Sequence, residues 1–386
     1  MKKQSTFLFF IFFSFLVLFT QAQEAEKKWM LNGYVKDMQS ILFTEVDGDW
    51  LSDNLIHNRM NFKWYVTSAL TFDVEMRNRF MYGEFIKTIP GYAKLIDVDK
   101  GFLDLSDNLI SEKSFLLHSS IDRLWLEYTR DKFQVRVGRQ RINWAQTFAW
   151  NPNDLFNTYN FFDFDYEEKP GSDAVRLQYY TSTTSQLEIA VKADNLERIT
   201  AAAMFRFNKW NYDMQFLGGL LNEEDLVLGA GWSGSLFKGG FRGECSYFHP
   251  KEGFKDSTGV LVTSVGYDFT FKNSLMVQIE ALYNSNGKKS GDFNLNEFYY
   301  MDLSAKTLTL TRWSFMGMMS YPITPLLSGT ISAMYSPNDK SVFVGPTLAY
   351  SLAQNLDFSF AAQTFFSDAA AGGKGTFLFL RLKKSF

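Results

Sequence analysis

The sequence predicts an all-β fold, a transmembrane up-and-down antiparallel β-barrel of about 18 strands, with 16 as the alternative count. Three observations carry this. From about residue 30 onward, apolar and polar residues alternate in segments of roughly 9 to 15 residues, the period of a strand with one greasy and one wet face. Beyond the first twenty residues there is no apolar run of helical transmembrane length, and the mean hydropathy is −0.17, so any membrane crossing falls to strands. Finally, every second connection is tight while the intervening ones are longer on average, as in barrels with short turns on one rim and loops on the other.

Met1-Lys2-Lys3 followed by the apolar stretch Phe7 to Thr20 and then Gln21-Ala22-Gln23 reads as a secretory signal peptide over residues 1–22. About 14 apolar residues are too few for a membrane-spanning helix, which needs roughly 20. Removing Lys2 and Lys3 takes the formal charge from −3 to −5. Residues 23–386 then form a single barrel domain, since no repeat or low-complexity linker divides them.

The alternation is concrete. Leu70, Phe72, Val74 and Met76 oppose Thr71, Asp73, Glu75 and Arg77; Val175 and Leu177 oppose Arg176 and Gln178; Leu187, Ile189 and Val191 oppose Glu188 and Lys192. The expected strands lie at about 30–43, 55–67, 69–80, 115–129, 132–143, 172–181, 185–194, 200–208, 211–221, 226–236, 239–249, 258–271, 274–285, 306–321, 326–336, 341–352, 355–366 and 375–386. An even count puts both termini on the tight-turn rim. A basic side chain on the lipid face near the midplane costs about 2–4 kcal/mol, so Arg77, Arg136 and Arg176 are expected inside and the Phe, Val and Leu rows outside. Trp29, Trp64, Tyr65, Trp210, Trp232, Tyr247 and Tyr321 fit interfacial girdles. A barrel this wide leaves an aqueous lumen.

Composition excludes other classes. A formal charge of −3 argues against a nucleic-acid binder, one cysteine (Cys245) against a disulfide framework, and three scattered histidines (His57, His118, His249) against a zinc enzyme. Asp47, Asp49 and Asp53 lack full calcium-loop spacing. No metal or cofactor is expected.

Two segments have individual character. In the last ten residues Leu378, Leu380, Leu382 and Phe386 share one parity, interrupted by Lys384. This resembles the C-terminal signal of outer-membrane proteins, which implies the barrel-assembly machinery as a partner. The Gly138-Arg139-Gln140-Arg141-Ile142-Asn143-Trp144 stretch, the Asn151-Pro152-Asn153-Asp154 turn signal and the return strand around Arg176 resemble outer-membrane porin-like families of Gram-negative bacteria, including the alginate-export type, with Ala145 where a Gly usually follows the Trp. The resemblance implies an outer-membrane channel for passive or selective diffusion of small hydrophilic solutes, with no catalytic residues. Ions, sugars and small anions all remain open as solutes. Outer-membrane lipid is the expected surround, and a homo-trimer stays open because its contacts would use the same apolar exterior.

The loop at about 144–171 is too long for a hairpin, and a loop of that size usually has a job. It carries Asp154, Asp163, Asp165, Glu167 and Glu168. If it folds inward it forms an eyelet, its acids facing a basic wall of Arg77, Arg123, Arg136 and Arg176 so that the local field selects solutes. The rival classes are an outer-membrane lipase or protease, for which His118-Ser119-Ser120 is the adjacent candidate without an Asn-Gly after it, and a secreted glycan-binding β-protein with a dry sandwich core.

Overall fold

The computed structural model describes residues 27–159, 161, 167–292, 301, 303–367 and 374–386; the expected signal peptide lies outside the described residues. Eighteen strands close into one antiparallel barrel: β1 Trp29–Phe43, β2 Leu51–Tyr65, β3 Leu70–Gly83, β5 Phe115–Arg130, β6 Phe133–Gln140, β7 Ser172–Tyr180, β8 Gln186–Ala193, β9 Ile199–Lys209, β10 Tyr212–Leu221, β11 Asp225–Leu236, β12 Gly239–Pro250, β13 Val260–Thr270, β14 Met276–Asn284, β15 Trp313–Pro322, β16 Leu327–Ser336, β17 Ser341–Ala353, β18 Leu356–Phe366 and β19 Gly375–Ser385. A short strand, β4 Ser106–Ser111, lies outside this ring and pairs only with the upper half of β5. Closure runs from β19 to β1, and it is finished by two backbone hydrogen bonds between Gly33 and Phe386, of 3.1 and 3.0 Å. Both chain ends of the barrel therefore sit on the tight-turn rim, and the first and last strands of the ring pair with each other.

The parity of each strand decides its two faces. On β1, Tyr34, Lys36 and Met38 are buried while Val35, Asp37 and Gln39 are exposed; on β2, His57 and Arg59 are buried and Ile56 is exposed. The exposed rows are overwhelmingly Val, Leu, Ile, Phe and Tyr. Such rows, on a closed barrel holding buried Arg, Lys and Glu, are the inverse of a sandwich core and rule out the dry-core alternative. Greasy rows outside and ions within are what hydrocarbon demands of a spanning sheet.

Two expected strands are shorter than their sequence pattern. The Leu-Thr alternation at 306–311 looks like the start of β15, yet that strand begins at Trp313. Residues 303–311 instead form a rim segment: Leu308 is buried and Lys306 donates to Asp225 at 2.8 Å. A segment with one face on protein and one on water alternates whether or not it is in a sheet. Likewise β6 stops at Gln140 where the pattern runs to residue 143, because Arg141 already belongs to the loop. The loop of residues 84–114 holds β4 and two single-turn helices, α1 Glu84–Thr88 and α2 Tyr92–Ile96. It is clamped to the barrel by Arg139, which meets Asp99 at 2.6 Å and Asp173 at 2.7 Å.

Candidate functional site

The Gly138–Trp144 stretch is where wall becomes plug. Gly138 has φ +116, and a Cβ there would lie 2.2 Å from the Leu124 carbonyl oxygen, so only glycine lets β6 bend there against β5. Past it, Arg139 serves the rim clamp, while Gln140 donates inward to the Ala174 carbonyl at 3.1 Å. Ile142 donates its N–H to Asn157 at 2.6 Å, and the Trp144 indole donates to Glu188 at 2.8 Å. From Arg141 the chain runs inside the barrel.

Two glutamates then hold the loop. Glu244 of β12 accepts the backbone N–H groups of Gln146, Thr147 and Asn153. Glu280 of β14 accepts those of Phe148, Ala149 and Trp150. Six backbone donors that would be orphaned in a buried loop are thereby satisfied by wall carboxylates, and a charged acceptor makes each such bond stronger than a neutral one. Steric room comes from β11, whose inward face has no side chain at Gly229 and Gly231. A Cβ on either would stand 2.9 Å from the Asn153 amide. Asn153 uses that gap to reach the Ala230 carbonyl at 3.0 Å and Ser246 at 2.7 Å.

The residues expected at an eyelet are distributed as follows. Arg123 donates to the backbone carbonyls of Glu168 at 2.9 Å and Lys169 at 2.7 Å. It can do so because a β-bulge between Met76 and Glu75 opposite β5 turns both Asp122 and Arg123 inward. Arg77 approaches Asp122 at 3.8 Å. Arg136 instead pairs with Glu127, a wall acid, and lies 4.0 Å over the Trp125 ring. Arg176 stands beside Arg136 in register and makes no ion pair within 4 Å among the described residues. Arg136 and Arg176 sit toward the tight turns and meet none of the loop's described acids, Asp154, Glu167 and Glu168.

On the loop side, Glu167 bridges to Arg381 at 2.6 Å and Lys383 at 2.7 Å, both on β19. Burial would raise its carboxyl, but the Lys383 hydrogen bond and the charges of Arg381, Lys383 and Lys36 outweigh that and hold it below the ordinary range. Glu168 lies 3.8 Å from Arg59, a fully buried residue of β2 that also binds Glu75 and Asp122. Asp154 is fully buried, and neither carboxylate oxygen has a hydrogen-bond partner among the described residues. Burial pushes its carboxyl up to about 6 against the opposing charges of Arg141 and Lys192. Asp163 and Asp165 lie outside the described residues. Arg59, Arg381, Lys383, Glu244 and Glu280 were not singled out by the sequence reading; their inward parity was visible, their partners were not.

Space remains on the other side of the loop. A cavity of about 490 Å³ opens between Lys100, Lys169, Asp173, Lys192 and Arg198. A second, of about 300 Å³, lies between Phe161, Glu167 and Lys169 of the loop and Ser332, Thr347, Gln363 and Arg381 of the wall. Lys169 lines both and is where they adjoin. Its backbone is left-handed, φ +61, and its ammonium lies 3.9 Å over the Tyr159 ring.

The enzymatic candidate is not assembled. His118 lies 3.3 Å from Arg79 and 3.5 Å from Asp97, Ser119 faces outward and donates to Asn78, and the Ser120 hydroxyl has no hydrogen-bond partner among the described residues.

A closed 18-strand antiparallel barrel with apolar exterior, ionised lumen and an inward third long loop is a porin-type fold. Solved structures of Occ/OprD outer-membrane porins share it. OccAB4 of Acinetobacter baumannii superposes with a TM-score of 0.58 at 11% identity, covering 94% of this chain and 99% of that one. OccK8 (OprE) of Pseudomonas aeruginosa gives 0.59 at 9%, covering 93% and 98%, and OpdQ of the same organism 0.60 at 8%, covering 93% and 99%. At such identities the likeness is one of fold. No family model matches the chain, and no curated protein matches it.

Proposed function

We propose that the protein is a channel of the Gram-negative outer membrane for passive or selective diffusion of small hydrophilic solutes, with the loop at 144–171 as its constriction. The observation that carries this reading is the seating of the loop inside the lumen on Glu244 and Glu280, with the cavity of about 300 Å³ left between its Glu167–Lys169 end and β16–β19. Among the described residues lining that cavity, Lys169 and Arg381 outnumber Glu167, which supports a mild preference for anions; Ser332, Thr347 and Gln363 supply neutral hydrogen bonding to an uncharged part of the solute.

Residues 1–22 act in this reading as the export signal. Leu378, Leu380, Leu382 and Phe386 are the signal read by the barrel-assembly machinery, and lipid surrounds the apolar rows. The finer relation, to the alginate-export type, is supported by the Gly138–Trp144 stretch and extends the solute class to acidic sugars. Purified protein in a planar bilayer is expected to give discrete conductance steps with a reversal potential displaced toward that of the anion. A barrel that folds and inserts without any conductance would overturn the channel and favour an adhesive or enzymatic role.

A further inference from the structure

Of the two cavities that Lys169 lines, the larger, about 490 Å³, lies away from β16–β19. It sits at the loop-side end of the barrel, between the plug and the ends of β7, β8 and β10. Three ammonium-bearing residues line it from three different elements: Lys100 from the loop of residues 84–114, Lys192 from the wall strand β8, and Lys169 from the plug. Each backbone or side chain is fixed. The Lys100 carbonyl accepts the Asn195 N–H at 3.3 Å, and its neighbour Gly101 bridges to Asp194, which fastens that loop to the β8–β9 turn. The Lys192 ammonium donates to the Phe156 carbonyl of the plug at 2.9 Å and makes no ion pair within 4 Å among the described residues. Lys169 lies over the Tyr159 ring.

The other charged residues of the lining are matched within the protein. Asp173 accepts from Arg139 at 2.7 and 2.9 Å and from the Leu103 N–H at 2.8 Å. Asp194 accepts the N–H groups of Leu196 and Arg198, both at 2.9 Å, and the Arg198 guanidinium at 2.8 Å. Asp154 attracts Lys192 but does not line the cavity. The guanidinium forks, the groups best suited to a planar carboxylate, are therefore closed on the protein's own acids. The remaining cations of the lining are ammoniums, compact point charges that suit a tetrahedral oxyanion.

We propose that this cavity is an entry site for a phosphate monoester carried on a hydroxylated body. Lys100, exposed at the rim, draws the anion in, and Lys192 and Lys169 meet its phosphoryl oxygens. The space is larger than a bare phosphate needs, and the amides of Asn195 and Asn222 and the Ser304 hydroxyl, which also line it, offer hydrogen bonds to the hydroxyl groups of the body. The proposal rests on the channel reading: Lys169 lines both cavities, so it passes the anion on to the inner one, where Arg381 lies.

Binding is read by equilibrium dialysis of glucose 6-phosphate against the purified, folded full chain, a measurement that needs no current. The ester is expected to bind at least about tenfold more tightly than glucuronate, and inorganic phosphate is expected to compete with it while glucose does not. Lys192→Met and Lys100→Gln are each expected to weaken it about tenfold; the second, on an exposed loop, keeps the test open if the first does not fold. In a planar bilayer, the ester should interrupt the current at lower concentration from the loop side than from the tight-turn side. Equal binding of glucuronate, no competition by inorganic phosphate, or unchanged binding in the folded lysine variants would each overturn the proposal. Binding by a barrel that carries no current supports the site and fails the channel, whereas current without binding fails the site alone.

Discussion

Two arcs of the lumenal wall do opposite things with the same backbone. Around β8, β12 and β14 the inward positions include Glu188, Glu244 and Glu280, and these hold the loop. Across β15–β17 the wall is neutral: between Trp313 and Leu356 the only charged residues are Asp339 and Lys340, both in a rim turn. There the inward row is Ser314, Met316, Ser332, Met334, Phe343, Gly345 and Thr347, and part of it lines the cavity that the loop leaves open. An inward charge in a wide barrel is thus not automatically a solute contact. Glu244 and Glu280 are spent on backbone N–H groups of the loop and Glu188 on the Trp144 indole and the Gln178 amide. The neutral arc offers the loop only apolar contact, through Met316, Met334 and Phe343 in one cluster with Trp150, and leaves the cavity beside Ser332 and Thr347 open.

The strongest way to break this contrast is to remove the carboxylates. Glu244→Ala with Glu280→Ala orphans six loop N–H groups, at about 1–3 kcal/mol for each left buried, so the loop is expected to leave the lumen. Single-channel conductance should rise about twofold or more, and residues 146–153 should become open to protease in a barrel that still migrates as folded. Unchanged current would mean the loop is held by other contacts. A smaller effect in the same direction is expected from Gly231→Leu, which fills the gap used by Asn153 and costs about 1–3 kcal/mol in overpacking. Hydrogen exchange at residues 151–154 should accelerate while the strands stay protected.

Charge on the passage sharpens the contrast. Arg381→Gln is expected to move the reversal potential toward cations, and Ser332→Asp, which places a carboxylate on the neutral arc, to move it the same way. Charge changes at Arg136 should move it less, since that guanidinium is already paired with Glu127. The smallest effect is pH dependence. The Asp154 carboxyl is raised from 3.8 to about 6 by burial in the docked loop, so docking favours its protonated form. Loop seating should strengthen as pH falls from 7 toward 4, by on the order of 2–3 kcal/mol at the limit, and transient high-conductance openings should become rarer from pH 7 to pH 5. Asp154→Asn is expected to flatten that trend.

Much of this architecture was legible in residue order. Val175-Arg176-Leu177-Gln178 announces a strand and assigns its faces without any knowledge of its neighbours. The misreading at residues 306–311 came from the same rule, since Leu308 and Leu310 alternate with Thr while lying in a rim segment. At the candidate site, the inward parity of Arg77 and Arg136 was readable, but which acid each would meet was not. Arg136 found Glu127 on the adjacent strand, whereas Glu167 found Arg381 across 214 residues of chain.

What residue order determined alone is the kind of barrel: an up-and-down sheet of about 18 strands, the greasy outside and the rim on which the termini lie. Those follow from a period of two and from turn lengths, both local properties of the backbone that a hydrocarbon solvent enforces strand by strand. What only the tertiary structure decided is where the long loop rests and which charges it consumes. Those contacts join segments such as Thr147 and Glu244, 97 residues apart, and depend on side-chain gaps at Gly229 and Gly231 that come into line only once the cylinder has closed.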